Sequence, residues 1–165
     1  VAAIGVIASL IYVARQVRSS QETAADSNRL ARAGGVREVM LANATNNELR
    51  NSVMKTCGFE QYYKEMARVF DVTIDDAART DHQNCYYFWL HWGQFASTTD
   101  PEDLQELKHI MRTYTNPALK YSWENSPYAR AALDPKFVKF VEAAIAEVSD
   151  DYFANMASTG EQLDA

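Results

Sequence analysis

Hydrophobic positions along the chain recur at helical spacing almost everywhere. Phe59, Tyr63, Met66 and Phe70 form one stripe, and Leu104, Leu107, Met111 and Tyr114 form another. Phe137, Val141, Ile145, Val148, Tyr152 and Met156 form a third, with Lys136, Lys139, Glu142 and Glu147 lying off it. Between Thr73 and Thr98 the apolar line runs through Ala78, Cys85, Trp89, Trp92 and Ala96. Spacings of three and four residues place side chains on one face of a helix. No run alternates in the manner of a half-buried strand, so the pattern predicts an all-α fold.

Helix starts are legible from the prolines. Asp100, Asn116, Ser126 and Asp134 each precede a proline. Proline at the first helical position forfeits no hydrogen bond, and the residue before it is held out of the α region, where a cap must sit. Thr73 and Asp76 resemble a capping box with Asp in place of Glu. The expected helices run from the N-terminus to about residue 32, with a break at Gly34 and Gly35, then over 36–44, 47–57, 59–70, 74–97, 101–114, 117–124 and 135–157.

The first fourteen residues, VAAIGVIASLIYVA, carry no charge. They are expected to belong to a transmembrane anchor, with Val1, Ile4, Val6, Ile7, Leu10, Ile11 and Val13 facing lipid and further apolar residues upstream completing the span. Gly5 and Ser9, four residues apart, would let a second membrane helix approach closely. Arg15 and Arg18 would flank the bilayer, and the arginines that follow the span would place the body in the cytoplasm of a single-pass inner-membrane protein. The expected organisation is an anchor and stalk over 1–34, a helical bundle over 35–157 and a frayed tail over 158–165.

Composition narrows the function. The chain has 165 residues, 47 % hydrophobic and 23 % charged, with only 6 glycines and 4 prolines, which suits a packed helical domain. Its net charge of −6 is uneven. Residues 1–37 carry five arginines against Glu22 and Asp26, a balance of +3, and the remainder carries −9. An acidic body repels phosphate backbones, so nucleic acid is not an expected partner. The bilayer and other membrane subunits are, and a homo-oligomer is compatible with the same residues.

Candidate chemistry is thin. Glu106 and His109 form half of a di-iron motif, but no second Glu-x-x-His exists and both lie off the apolar stripe. His82 and Cys85 lie one turn apart, with His91 further along, yet no further ligands complete a zinc site and no orienting group makes a nucleophile of the thiol. Cys57 and Cys85 read as small core residues rather than a disulfide. No metal or cofactor is expected. The densest aromatic segment is YYFWLHW at 86–92. Trp89 and Trp92 suit the core. Tyr86, Tyr87, Phe88 and His91 exceed what one face can hold; they pack between helices of the bundle or, as candidate partner contacts, meet a partner protein, lipid or a flat pigment or quinone.

The stretch ASLIYVARQVR at 8–18 resembles the opening helix of a widespread family of small bacterial membrane-anchored proteins, in which S-L-I-Y leads through Gln to an Ile-Arg or Val-Arg step. The aromatic helix and the closing pattern of Pro117, Trp123, Glu124, Asp134, Pro135 and Phe137 are similar too. That resemblance implies helical fold and membrane attachment, and it carries no activity. The expected function is therefore a non-enzymatic accessory or scaffolding subunit of a larger membrane complex, with respiratory or photosynthetic complexes as hosts that fit. The alternatives are an enzyme or small-ligand binder with a pocket in helix 82–95, and a self-associating membrane regulator.

Overall fold

A computed structural model describes the backbone of residues 2–148 and the side chains from residue 9 to 148. Among the described residues seven α-helices follow one another: α1 (Ala2–Thr45), α2 (Asn47–Thr56), α3 (Glu60–Phe70), α4 (Ile74–Ser97), α5 (Pro101–Met111), α6 (Pro117–Asn125) and α7 (Pro135–Ala146), with a 3₁₀ turn over Arg112–Thr115. Among the described residues there is no strand. Tyr152, Met156 and the tail over 158–165 lie outside the described residues.

The expected caps form where three of the four prolines predicted them. Asp100, Asn116 and Asp134 accept from the backbone N–H groups of Glu102, Ala118 and Lys136, at 2.8, 3.2 and 2.7 Å. Thr73 accepts from the Asp76 amide at 3.0 Å while its hydroxyl donates to the Asp76 carboxylate, so this box closes side chain to side chain. Ser126 caps no helix. Pro127 opens a run of turns instead, and the Ser126 side chain points into the protein interior. Gly58 (φ 75°) separates α2 from α3, and Asp71 (φ 53°) ends α3 in the left-handed conformation.

The bundle is organised on α4, the helix with which α1, α2, α3, α5 and α6 all pack, α1 most extensively. The main core joins Ala33 and Met40 of α1, Cys85, Phe88, Trp89 and Trp92 of α4, Leu107 and Met111 of α5, Trp123 of α6 and Phe137, Val141 and Ala144 of α7. Aromatic edges meet faces within it: Phe88 lies 4.9 Å from Tyr114 and 5.3 Å from Trp123, centroid to centroid. A smaller apolar layer built on Met54, Tyr63 and Met66 lies under α3.

Two sequence expectations are corrected here. The first helix does not break at Gly34 and Gly35; it runs unbroken to Thr45. Two helical glycines weaken a helix by roughly 1 kcal/mol each, and burial of Ala33, Met40 and Asn43 against the bundle offsets that loss. The boundary drawn at residue 34 therefore falls inside one helix. The second correction concerns the membrane. Among the described residues no helix is long and apolar enough to cross one. Arg15, Arg18 and Glu22 lie on the helix that carries the uncharged run and interrupt its apolar character. The N-terminal transmembrane helix, with the single-pass inner-membrane placement and the cytoplasmic body derived from it, is not supported. Leu10, Ile11 and Val13 are exposed on α1, while the side chains of Val1, Ile4, Gly5, Val6 and Ile7 lie outside the description. Arg18 pairs with Glu22 at 3.1 Å on the open surface, and Arg15 is exposed.

Candidate functional site

Chemically capable side chains concentrate on the N-terminal half of α4, where the apolar line from Ala78 to Cys85 is interrupted by Asp81 and His82. Both fall on the buried face because they sit three and four residues after Ala78. Asp81 is 0 % exposed and His82 1 %. Three hydroxyls converge on the Asp81 carboxyl: Tyr62 at 2.7 Å, Tyr63 at 3.5 Å and Ser126 at 3.0 Å. Cys85 Sγ lies 3.3 Å from the Ser126 hydroxyl, and Asn84 donates to Ser122 and to the Ala118 carbonyl, each at 3.1 Å. One polar network thus ties α3, α4, α6 and the turn after α6 together.

Its electrostatics oppose acid–base or thiol chemistry. Burial pushes the Asp81 carboxyl above its ordinary range, with the hydroxyls working the other way. Burial also drives the Cys85 thiol far up, so no thiolate is available. Burial holds the His82 imidazole down. His82 Nδ1 sits 2.6 Å from the Ala78 carbonyl and donates to it, and Nε2 is buried without a partner. His82 is therefore a neutral core histidine that bonds neither to Cys85 nor to Asp81. The phenols of Tyr62 and Tyr63 are raised by burial and by Asp81. With its acidic group and imidazole closed to solvent, the cluster locks helices together and presents nothing to a substrate.

A second polar lock holds the lower end of α4. The Arg50 side chain is 0 % exposed. Its guanidinium donates to the Asn43 and Ala44 carbonyls at 2.8 and 3.1 Å, to Asn47 at 2.7 Å and to Asp75 at 2.6 Å. The last carbonyls of a helix have no partner within it, and α1 has no basic residue in its own last turn. Arg50 supplies one from α2 and at the same time pairs with the first turn of α4. The Arg50 hydrogen bonds hold the Asp75 carboxyl below the ordinary carboxylate range.

The sequence-predicted aromatic contacts divide. Phe88 is fully buried in the main core, and Tyr86 packs half-buried against it. Tyr87 is 40 % exposed and stacks on His91, with centroids 6.3 Å apart. His91 Nδ1 lies 2.9 Å from the buried Tyr114 hydroxyl, and burial takes the imidazole down to about 4. The Trp89 indole donates to the Tyr128 carbonyl at 2.8 Å. Their polar atoms serve the fold, so helix 82–95 is a packed wall of the bundle. Glu106 and His109 are exposed, and no group of three or more His, Cys, Asp or Glu that could hold a metal occurs among the described residues. Both cysteines are free thiols; Cys85 is buried as expected, and Cys57 is exposed.

Clefts lie on the outer surface. One of about 560 Å³ runs between the turns after α6 and α7, lined by Pro127, Arg130, Leu133, Val138 and Glu142. Arg130 is committed to Glu142 at 2.8 Å, with both side chains about half exposed. Comparison of the chain with models of protein families, with curated proteins and with solved structures finds no match in any of the three.

The most unusual feature is the projecting part of α1. Every residue from 9 to 32 is exposed. Leu10 is 63 %, Ile11 52 %, Tyr12 67 %, Val13 52 % and Val17 51 % exposed. From Ala33 onward the same helix buries a face against α4, passing Gly93, where an added Cβ would lie at ordinary contact distance, 3.5 Å, from the Ala33 Cβ. Residues 9–29, which precede the first side chain near α4, Leu30, amount to about 31 Å of helix. Sequence reasoning identified the apolar residues of this segment but assigned them to lipid. It missed Asp81, Tyr62 and Arg50 and read Tyr63 only as an apolar core position, although the apolar line from Ala78 to Cys85 already placed Asp81 on a buried face.

Proposed function

We propose that this protein is a non-enzymatic accessory or scaffolding subunit that works by assembly, joining a larger complex through the projecting part of α1. The observation that supports this reading is the exposure of Leu10, Ile11, Tyr12, Val13 and Val17 on the part of α1 where every residue from 9 to 32 is exposed. An isolated helix gains too little from propensity alone to be held in water, and exposed apolar side chains in a row mark a contact surface. The closed polar clusters add to it: Asp81, His82 and Cys85 are buried and serve to lock helices together. Among the described residues no helix is long and apolar enough to cross a membrane, so this reading assigns no host by membrane attachment.

Blue-native electrophoresis of lysates from cells making the full chain tests the reading. Migration in a species larger than two chains is expected, together with loss of that species when Val13 and Val17 are both changed to Glu. Migration of the unaltered chain as one or two copies alone contradicts it.

A further inference from the structure

The charges on the projecting helix are confined to one side. With Leu10, Val17, Ala24 and Ala31 at position a of a heptad, and Val13, Ser20 and Ser27 at d, every a, d, e and g position from residue 9 to 31 is uncharged. Arg15, Arg18, Glu22, Asp26, Arg29 and Arg32 all fall at b, c or f. Such a frame is the signature of a helix that pairs with another helix. At 100° per residue the a and d row points directly away from Ala33, the residue that α1 buries against the bundle. A helix laid along this row therefore clears the body. Glu38 at the next a position, exposed, ends the row where the bundle begins.

Size is graded along the row: Leu10, Val13 and Val17 are large, whereas Ser20, Ala24, Ser27 and Ala31 are small. We infer that the partner of this face is a second copy of the chain, bound antiparallel through the row Leu10, Val13, Val17, Ser20, Ala24 and Ser27. In the antiparallel register that sets a opposite d, Leu10 meets Ser27 of the other copy, Val13 meets Ala24 and Val17 meets Ser20. Every large side chain then faces a small one and all layers have similar volume, which is what close packing requires. A parallel pair would crowd large residues at one end and leave small ones facing each other at the other. Charge selects the same arrangement. Parallel pairing sets two bodies of charge −9 side by side, whereas the antiparallel register separates the two Ala33 positions by about 43 Å, many times the screening length of about 8 Å at physiological salt. The flanks Gln16, Gln21, Thr23 and Asn28 are neutral hydrogen-bonding groups that match their own copies and would leave the charged flanks of an ordinary coiled-coil helix unpaired. Ile11 and Tyr12 lie at b and c, beside the seam. The product is a rod with an acidic body at each end.

This inference rests on the assembly role given to α1 above, and its test separates the two. In full chains carrying Cys57→Ser, equal amounts of a Val13→Cys chain and a size-tagged Ala24→Cys chain are mixed and gently oxidised. Cross-links between the two different chains are expected to exceed like-with-like cross-links at least fivefold. Single-chain sedimentation of the unaltered protein at about 100 µM overturns the pairing, and so does a predominance of like-with-like products. Val17→Glu is expected to raise the dissociation constant at least tenfold, because it buries two like-sign charges near one layer; unchanged dissociation also overturns the pairing. A chain that sediments alone yet enters the larger native species contradicts only the self-pairing. A dimer that enters no larger species contradicts only the accessory role.

Discussion

The two parts of α1 are one continuous helix under different rules. Residues 33–43 press Ala33, Met40 and Asn43 against the bundle, and Arg50 caps the carbonyls at their end. Residues 9–32 continue the same backbone with every side chain exposed. Stability in the first segment comes from burial on α4 and from the caps. In the second, on the proposed reading, it comes from another molecule. Helical secondary structure is thus a property of the chain locally, while what holds it is a property of the surroundings.

Variants that strike the bundle separate the two segments most forcefully. Phe88→Ala removes a fully buried ring that contacts Tyr114 and Trp123 and is expected to cost about 3–5 kcal/mol. Thermal unfolding followed by circular dichroism should show a drop in Tm on the order of 10 °C. Leu10→Ala, in the projecting segment, should leave the Tm of dilute protein unchanged. Equal effects of the two would mean that the projecting helix folds as part of the core.

Arg50→Ala is next. It frees two helix-end carbonyls and the Asp75 carboxylate, which is 36 % exposed and can recover water. A loss of about 2–3 kcal/mol is expected in urea unfolding. Arg50→Lys should not restore it, since an ammonium cannot reach both the carbonyls and Asp75.

Asp81 gives a pH signature. Its carboxyl is raised in the folded state, so the native protein holds that proton more tightly than the unfolded chain does. The stability it contributes is complete below the unfolded value near 3.8 and declines as pH rises from there towards the folded value. Asp81→Asn, which keeps an acceptor for Tyr62, should therefore improve relative to the natural protein between pH 4 and pH 7 in urea midpoints. A parallel response of the two proteins would show that Asp81 is ionised at no cost. The smallest effect is expected at the junction of the two segments. Gly34 and Gly35 are helical, and a Cβ on either would meet nothing within 4 Å. Gly35→Ala should stabilise the protein by about 0.5–1 kcal/mol. A destabilised variant would show that the junction has to bend.

Much of the bundle was legible because its signals are local. Asp100, Asn116 and Asp134 before prolines set three helix starts, and the apolar stripes named Tyr63, Met66, Leu107, Met111, Phe137 and Val141 correctly as core. Signals that depend on distant partners were not legible. Gly34 and Gly35 look like a break because propensity counts against them, and only the burial of Ala33, Met40 and Asn43 against the bundle shows why the helix continues. Ser126 looks like a cap until Asp81 is known to lie 3.0 Å away. Phe88 looked like a surplus aromatic because the width of the face it needed depends on Tyr114 and Trp123 closing over it. The uncharged N-terminal run suggested lipid, whereas Arg15, Arg18 and Glu22 follow on the same helix and no helix among the described residues is long and apolar enough to cross a membrane.

The claim that binds these observations is that the projecting helix is held by a partner and the bundle is not. Hydrogen exchange of the full chain at several protein concentrations tests it most directly. Amides of residues 9–32 should gain protection as concentration rises, while those of residues 77–92 in α4 stay equally protected throughout. Strong protection of residues 9–32 at every concentration, or none at any, would contradict the account.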